Sequence, residues 1–232
     1  MTSVGTKNES TRVAWLERTL KELPNGWRIL DAGAGQQQYR KFCGHLEYVS
    51  QDFGQYKPDQ EKAGLHRGKW DYGKLDIVCD IASIPEPDGS FDAILCAEVF
   101  EHLPDPIAAV REFSRLLRPE GVLILTAPFC SLTHFAPYHY STGFGKYWYE
   151  KHLPDHGLEV IELAPNGNYF EYLAQELRRV HSIAGRYAGS HLRRWEKLAS
   201  RLLLRCLERF SHGDTGSDEL LCFGYHVRAR RL

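Results

Sequence analysis

Apolar and polar positions alternate along this chain in short blocks of two kinds. Compact apolar runs at residues 28–32, 46–52, 75–81, 90–98, 122–126, 158–163 and 220–227 have the length and content of strands, and the fourth is apolar throughout its middle, as a strand buried on both faces should be. Between them the spacing changes to helical. Val13, Leu16, Leu20 and Leu23 predict an amphipathic helix over 11–23, and Ile107, Val110, Phe113, Leu116 and Leu117 predict another over 107–117, opened by Pro104 and Pro106. Further helices are expected near 36–44 and over 143–156, 170–187 and 192–210. Strands alternating with helices at this spacing predict a parallel sheet covered on both faces, with ligands at the carboxyl ends of its strands.

Three of the apolar runs close on an acid at Asp31, Asp52 and Asp80, and the first runs into Gly33 and Gly35. Alternate glycines after a strand let bare backbone approach a ligand, and Asp31 can accept hydrogen bonds from an amine there. In doubly wound folds an acid at the end of the second strand, about twenty residues on, receives ribose hydroxyls, which is the place of Asp52.

Composition narrows the class. The 232 residues are 43% hydrophobic and 25% charged with a formal charge of −1, an ordinary globular balance with no overall attraction to polyanions. Six scattered cysteines without a Cys-x-x-Cys pair read as reduced thiols. With no signal-like start and no run long enough to span a membrane, a cytoplasmic protein is expected.

In order along the chain, Asp31-x-Gly33-x-Gly35, Asp52, Asp80-Ile81, Phe91-Asp92-Ala93-Ile94, Glu101-His102-Leu103-Pro104 and Leu117-Arg118-Pro119-Glu120-Gly121 resemble the motifs of class I S-adenosylmethionine-dependent methyltransferases, in particular the small-molecule type 11 group. The resemblance covers roughly residues 27–165. It implies a Rossmann-like seven-stranded sheet with helices on both faces, S-adenosylmethionine as cofactor and S-adenosylhomocysteine as product. Under it, Asp31, Gly33 and Gly35 hold the amino-acid end of the cofactor and Asp52 the ribose. Asp80 takes the adenine amine, Ile81 and Phe53 the purine faces, and Cys96, Ala97 and Glu98 line the side near the sulfonium. Gln37 stands where the family has its third glycine and belongs to the same turn.

A sulfonium methyl needs only an acceptor held in line and, for a hydroxyl, a base. His134 and His139, in the aromatic segment after the fifth strand, are the candidate catalytic bases. With Glu101 and His102 they could serve a metal only if folding brought them together, and no metal is assigned.

The expected domain plan is one methyltransferase domain over 1–232. It comprises an N-terminal helix to residue 24, a cofactor-binding core over 25–165, a helical insertion over 166–217 and a last strand over 218–232. Within the insertion, residues 178–209 hold nine Arg and Lys against two Glu. Leu192, Trp195, Ala199, Leu202, Cys206 and Phe210 form a stripe opposite Arg194, Lys197, Arg201 and Arg205. A charge run of this kind is most often a solvated face; if the stripe is used, the favoured use is a cap over the acceptor pocket, with a homodimer contact and a peripheral contact with anionic membrane as alternatives. The expected reaction is methyl transfer to a hydroxyl or activated carbon of a small metabolite or saccharide. A non-catalytic cofactor-binding module, a nicotinamide-dependent oxidoreductase and a nucleic-acid methyltransferase are the rival readings, and no nucleic-acid partner is expected.

Overall fold

Helix α1, Asn8–Lys21, turns Trp15, Leu16 and Leu20 inward, as the spacing of its apolar residues requires. It belongs to a computed structural model that describes residues 2–57, 64–65 and 70–232. β1 is Arg28–Ala32 and β2 Glu47–Asp52, while β3 is only Ile77–Val78. β4 is Phe91–Ala97, α2 Pro106–Leu116 and β5 Leu117–Pro128. α3 is Lys146–Asp155, β6 Leu158–Asn166, α4 Tyr169–Tyr187, α5 Arg194–His212 and β7 Gly224–Arg231.

The seven strands lie in the order β3-β2-β1-β4-β5-β7-β6. The pairs β2 with β3, β1 with β2, β1 with β4 and β4 with β5 are parallel, whereas β7 runs antiparallel to β5, so the sheet is mixed. α1 packs on it through Trp15, Leu16 and Leu20 against Ile29, Ala93, Leu95 and Ile124. α2 starts where the sequence signals, with Pro106 in its first turn and the Asp105 carboxylate accepting the Ala108 N–H at 3.0 Å.

Several elements differ from expectation. The helix expected at 36–44 is a single 3-10 turn, Arg40–Phe42. Gln37 sits in the left-handed region at φ 56°, which interrupts any helix beginning at the glycines. The third strand keeps two residues instead of the apolar run 75–81. The Asp76 carboxylate just before it accepts the Ser50 N–H at 2.9 Å and the Ser50 hydroxyl at 2.8 Å, a side-chain pairing in place of a ladder. β5 begins at Leu117 rather than 122, because Leu117 already pairs with Phe91 across an irregularity in which Glu120 has φ 65°. The last strand starts four residues late, after a 3-10 turn at Ser217–Glu219.

By its contacts the chain forms two compact units. One, Val13–Ala164 with Gly224–Leu232, contains the sheet. The other joins the chain up to Arg12 to Pro165–Phe223 and is built on α4 and α5. Asn168 caps α4 by accepting the Glu171 N–H at 3.0 Å, and Val4, Ala174, Leu204 and Leu207 make this unit's core. The stripe expected to be covered is not. Trp195 is 64% and Leu202 51% exposed, and Phe210 is exposed too, while Leu204 and Leu207 turn inward. The cap reading depended on that stripe being covered, so it loses its support.

Candidate active site

The turn after β1 is held from β2. Gly33 donates its N–H to the Gln51 carbonyl at 2.9 Å, and Gly35 donates to Asp52 Oδ2 at 2.9 Å. Both glycines have positive φ, and a Cβ on Gly33 would stand 2.6 Å from Val99 Cγ2. On Gly35 it would meet the Trp70 ring at 2.9 Å, so the glycine also seats an aromatic wall. That wall comprises Trp70, Tyr56 and Phe135 in mutual ring contact, with Tyr72 against Trp70.

Asp31 is buried and its carboxylate accepts the Tyr48 hydroxyl. Burial pushes its pKa up to about 7 against the effect of the Tyr48 bond, with the Asp52 charge adding to the rise. Asp52 is also buried and raised by desolvation, although the N–H groups of Gly35 and Gly54 bind its two oxygens. Each oxygen keeps a lone pair for a further donor. Gln37 does different work from a ligand: its amide donates to the carbonyls of Tyr72 and Lys74, both at 2.9 Å, tying that loop to the turn. Asp80 is exposed and its Oδ1 accepts the Ala82 N–H at 2.9 Å, with Ile81 buried beside it.

At the end of β4 the three expected lining residues divide. Cys96 is fully buried and cannot line an open crevice, whereas Ala97 and Glu98 are half-buried. Glu98 adopts φ 58°, a left-handed backbone at a strand end of the kind that accompanies functional turns. Its N–H donates to the Thr126 carbonyl at 2.8 Å, and Thr126 Oγ1 donates to Glu98 Oε1 at 3.0 Å.

The segment after β5 folds over the same strand ends. Tyr140 and Ser141 donate their N–H groups to the Glu101 carbonyl at 2.9 and 3.2 Å, and Tyr138 meets Phe53 edge-on at 5.0 Å. This brings together four residues that the sequence leaves apart. The Nε2 atoms of His102 and His134 each lie 3.7 Å from Glu101 Oε1. The His139 ring is 5.2 Å from His134 and 6.1 Å from His102 between centroids. His134 is buried, but His139 is half-buried, with Nε2 3.2 Å from the Ser131 hydroxyl. Burial lowers the pKa of His139, aided by His134, which favours its neutral imidazole. Burial likewise lowers His102 to about 4. Glu101 is penalised by burial, yet its His134 and His102 neighbours outweigh this and hold it below the usual carboxylate range. Of the two candidate bases, His139 is therefore the better open to an acceptor. The sequence signal that pointed to the rest was the Glu101-His102-Leu103-Pro104 motif; no signal marked Val99.

Residues 30–125 match the family described as a methyltransferase domain. Among curated proteins, the chain is 36% identical over 110 residues to a ubiquinone biosynthesis O-methyltransferase of Xanthomonas axonopodis pv. citri, covering 44% of each chain. A shorter match, 48% identical over 53 residues, covers 23% of the chain and 21% of an enzyme of the same name from Xanthomonas oryzae pv. oryzae. The chain thus spans from about a fifth to under half the length of these curated relatives. Among solved structures, geranyl diphosphate methyltransferase in complex with SAM superposes with TM-score 0.57 at 14% identity, over 97% of this chain and 86% of that one. At that identity the likeness concerns the fold, which here is the seven-stranded sheet with its glycine turn after β1.

Proposed function

We propose that this methyltransferase transfers the methyl group of S-adenosylmethionine to a hydroxyl of a small acceptor. The observation that carries the reading is the half-buried His139 on a loop seated over the strand ends beside the glycine turn. The cradle suits the cofactor: buried carboxyls at the ends of β1 and β2 match an amine and a diol, and the turn between them has no Cβ at two positions. Asp31 would hold the amino-acid end, Asp52 the ribose, and Asp80 with Ile81 the adenine. Bound there, the cofactor supplies a methyl group already activated by its positive sulfur. The chain's own part is to orient an acceptor oxygen and to take its proton on His139, while Phe53, Tyr138 and the aromatic wall keep water away.

The O-methyltransferase names of the curated relatives support an oxygen acceptor. They do not define it, since the matches leave more than half of each relative uncovered. Calorimetry with S-adenosylmethionine and S-adenosylhomocysteine tests the first half of the reading. Incubation with pools of small phenols and sugars, followed by mass spectrometry for the gain of one methylene, tests the second. Cofactor heat without any methylated product would leave a binding module; no heat with either ligand would end the proposal.

A further inference from the structure

The cluster of Glu101, His102 and His134 contains a mismatch that a proton map exposes. A backbone carbonyl can only accept, so the ring nitrogen facing it must carry hydrogen. His102 Nδ1 lies 2.5 Å from the Tyr138 carbonyl, and His134 Nδ1 lies 2.8 Å from the Leu132 carbonyl. Both imidazoles thereby carry hydrogen on Nδ1, and in the neutral rings the Nε2 lone pairs aim the other way. Those two lone pairs face one carboxylate oxygen, Glu101 Oε1, each at 3.7 Å. At 3.7 Å neither contact is a hydrogen bond, and in the Nδ1–H tautomers three acceptors face one another there. The second carboxylate oxygen, Oε2, is buried and finds no hydrogen-bond partner among the described residues, on a side chain only 1% exposed.

A cation resolves all of this at once. Two imidazoles oriented by carbonyls and one carboxylate are the donor set that first-row metal ions take, with the orienting carbonyls in the place that outer partners of metal-bound histidines occupy. The three ligand atoms lie within 4.8 Å of one another. A tetrahedral zinc ion with bonds of about 2.0–2.2 Å needs them roughly 3.3–3.5 Å apart, within reach of small ring rotations. We propose that Glu101, His102 and His134 form a site for a divalent first-row metal ion of the zinc class, and that its remaining coordination position, on the His139 side, receives the acceptor oxygen. The second clause rests on the methyl-transfer reading; the first does not. A metal-bound hydroxyl loses its proton more readily, and His139 stands within 5.2 Å, ring to ring, of His134 to take it.

The test begins with chelator-stripped protein dialysed against Zn²⁺ or Co²⁺, with bound metal measured by elemental analysis and the cobalt form by its visible spectrum. One equivalent is expected, with the intense absorption of a four- or five-coordinate cobalt ion. Glu101→Gln and His134→Ala should each weaken binding by about a hundredfold or more, while His45→Ala changes nothing. Because a buried substitution can unfold the chain, His134→Cys is the second arm: it should keep the metal and add a thiolate-to-cobalt band. A wild type that takes up no metal, a Cys variant lacking that band, or Glu101→Gln binding as the wild type does would overturn the site. Such a protein would hold the three groups by a shared proton alone. Phenol added to the cobalt protein should shift its spectrum, and an unchanged spectrum removes the acceptor clause. Cofactor heat measured on the stripped protein separates the two readings: metal uptake without cofactor heat sinks methyl transfer and leaves the metal site standing.

Discussion

Asp31 carries a charge question that its neighbours settle. With its pKa near 7 in the fold and near 3.8 in an open chain, the folded protein binds the extra proton between those values. Stability of the ligand-free protein therefore falls as pH rises from about 4 to about 7, by up to about 4 kcal/mol, and is flat above. Tyr48 and Asp52 are the groups that set this value beside burial itself, the first lowering and the second raising it. A ligand amine bound at Asp31 needs the ionised carboxyl, so at pH 6 binding of S-adenosylmethionine should expel about one proton. Calorimetry in buffers of different ionisation heat measures that number; none released, or the same release from Asp31→Asn, would place the amine elsewhere. The acid itself was legible in the sequence because it closes an apolar run before two glycines. Its raised pKa was not, since that depends on Tyr48 arriving from the neighbouring strand. The same limit explains Cys96, which sits at the family's lining position but turns out fully buried.

At the scale of elements, β1, β2, β4 and α2 follow from apolar spacing and capping residues, whereas the segment after the glycines does not. A helix was the natural reading of 36–44, and the left-handed Gln37, bound to two loop carbonyls, converts it to a 3-10 turn. The turn itself is testable. Gly33→Ala forces a side chain onto a left-handed backbone and to within 2.6 Å of Val99, and should cost about 1–3 kcal/mol by chemical denaturation together with most cofactor affinity. An unaltered midpoint would show that the turn relaxes freely. In α5 the apolar periodicity was visible but its sense was not, because helical spacing offers two stripes and the packing with α4 selects Leu204 and Leu207. Leu207→Ala should accordingly destabilise the protein by about 2–5 kcal/mol, and Trp195→Glu by no more than about half a kcal/mol. Equal losses in thermal melting would mean that Trp195 is covered in solution by something outside the chain.

For the molecule as a whole, the sheet order fixes where chemistry can happen. The order β3-β2-β1-β4-β5 reverses direction between β1 and β4, and a crevice opens outside the strand ends at such a reversal. Asp31, the glycines and Asp52 stand on the β1–β2 side, and Glu98, Glu101, His102 and the loop with His134 and His139 on the β4–β5 side. Every one of these residues belongs to the unit that contains the sheet. The two sides should separate kinetically. Asp52→Asn weakens hydrogen bonds to the cofactor, raising its Kd by roughly tenfold to a hundredfold, with turnover at saturation nearly kept. His139→Ala should lower kcat by about a hundredfold and leave cofactor Kd in place. Phe53 is the exception that checks the arrangement, because it follows Asp52 in sequence and touches Tyr138 of the acceptor loop at 5.0 Å. Phe53→Ala should therefore move both constants, by several-fold each. If it raises Kd alone, the acceptor loop is held by the Glu101 carbonyl without help from the cofactor side, and the two halves of the crevice act independently.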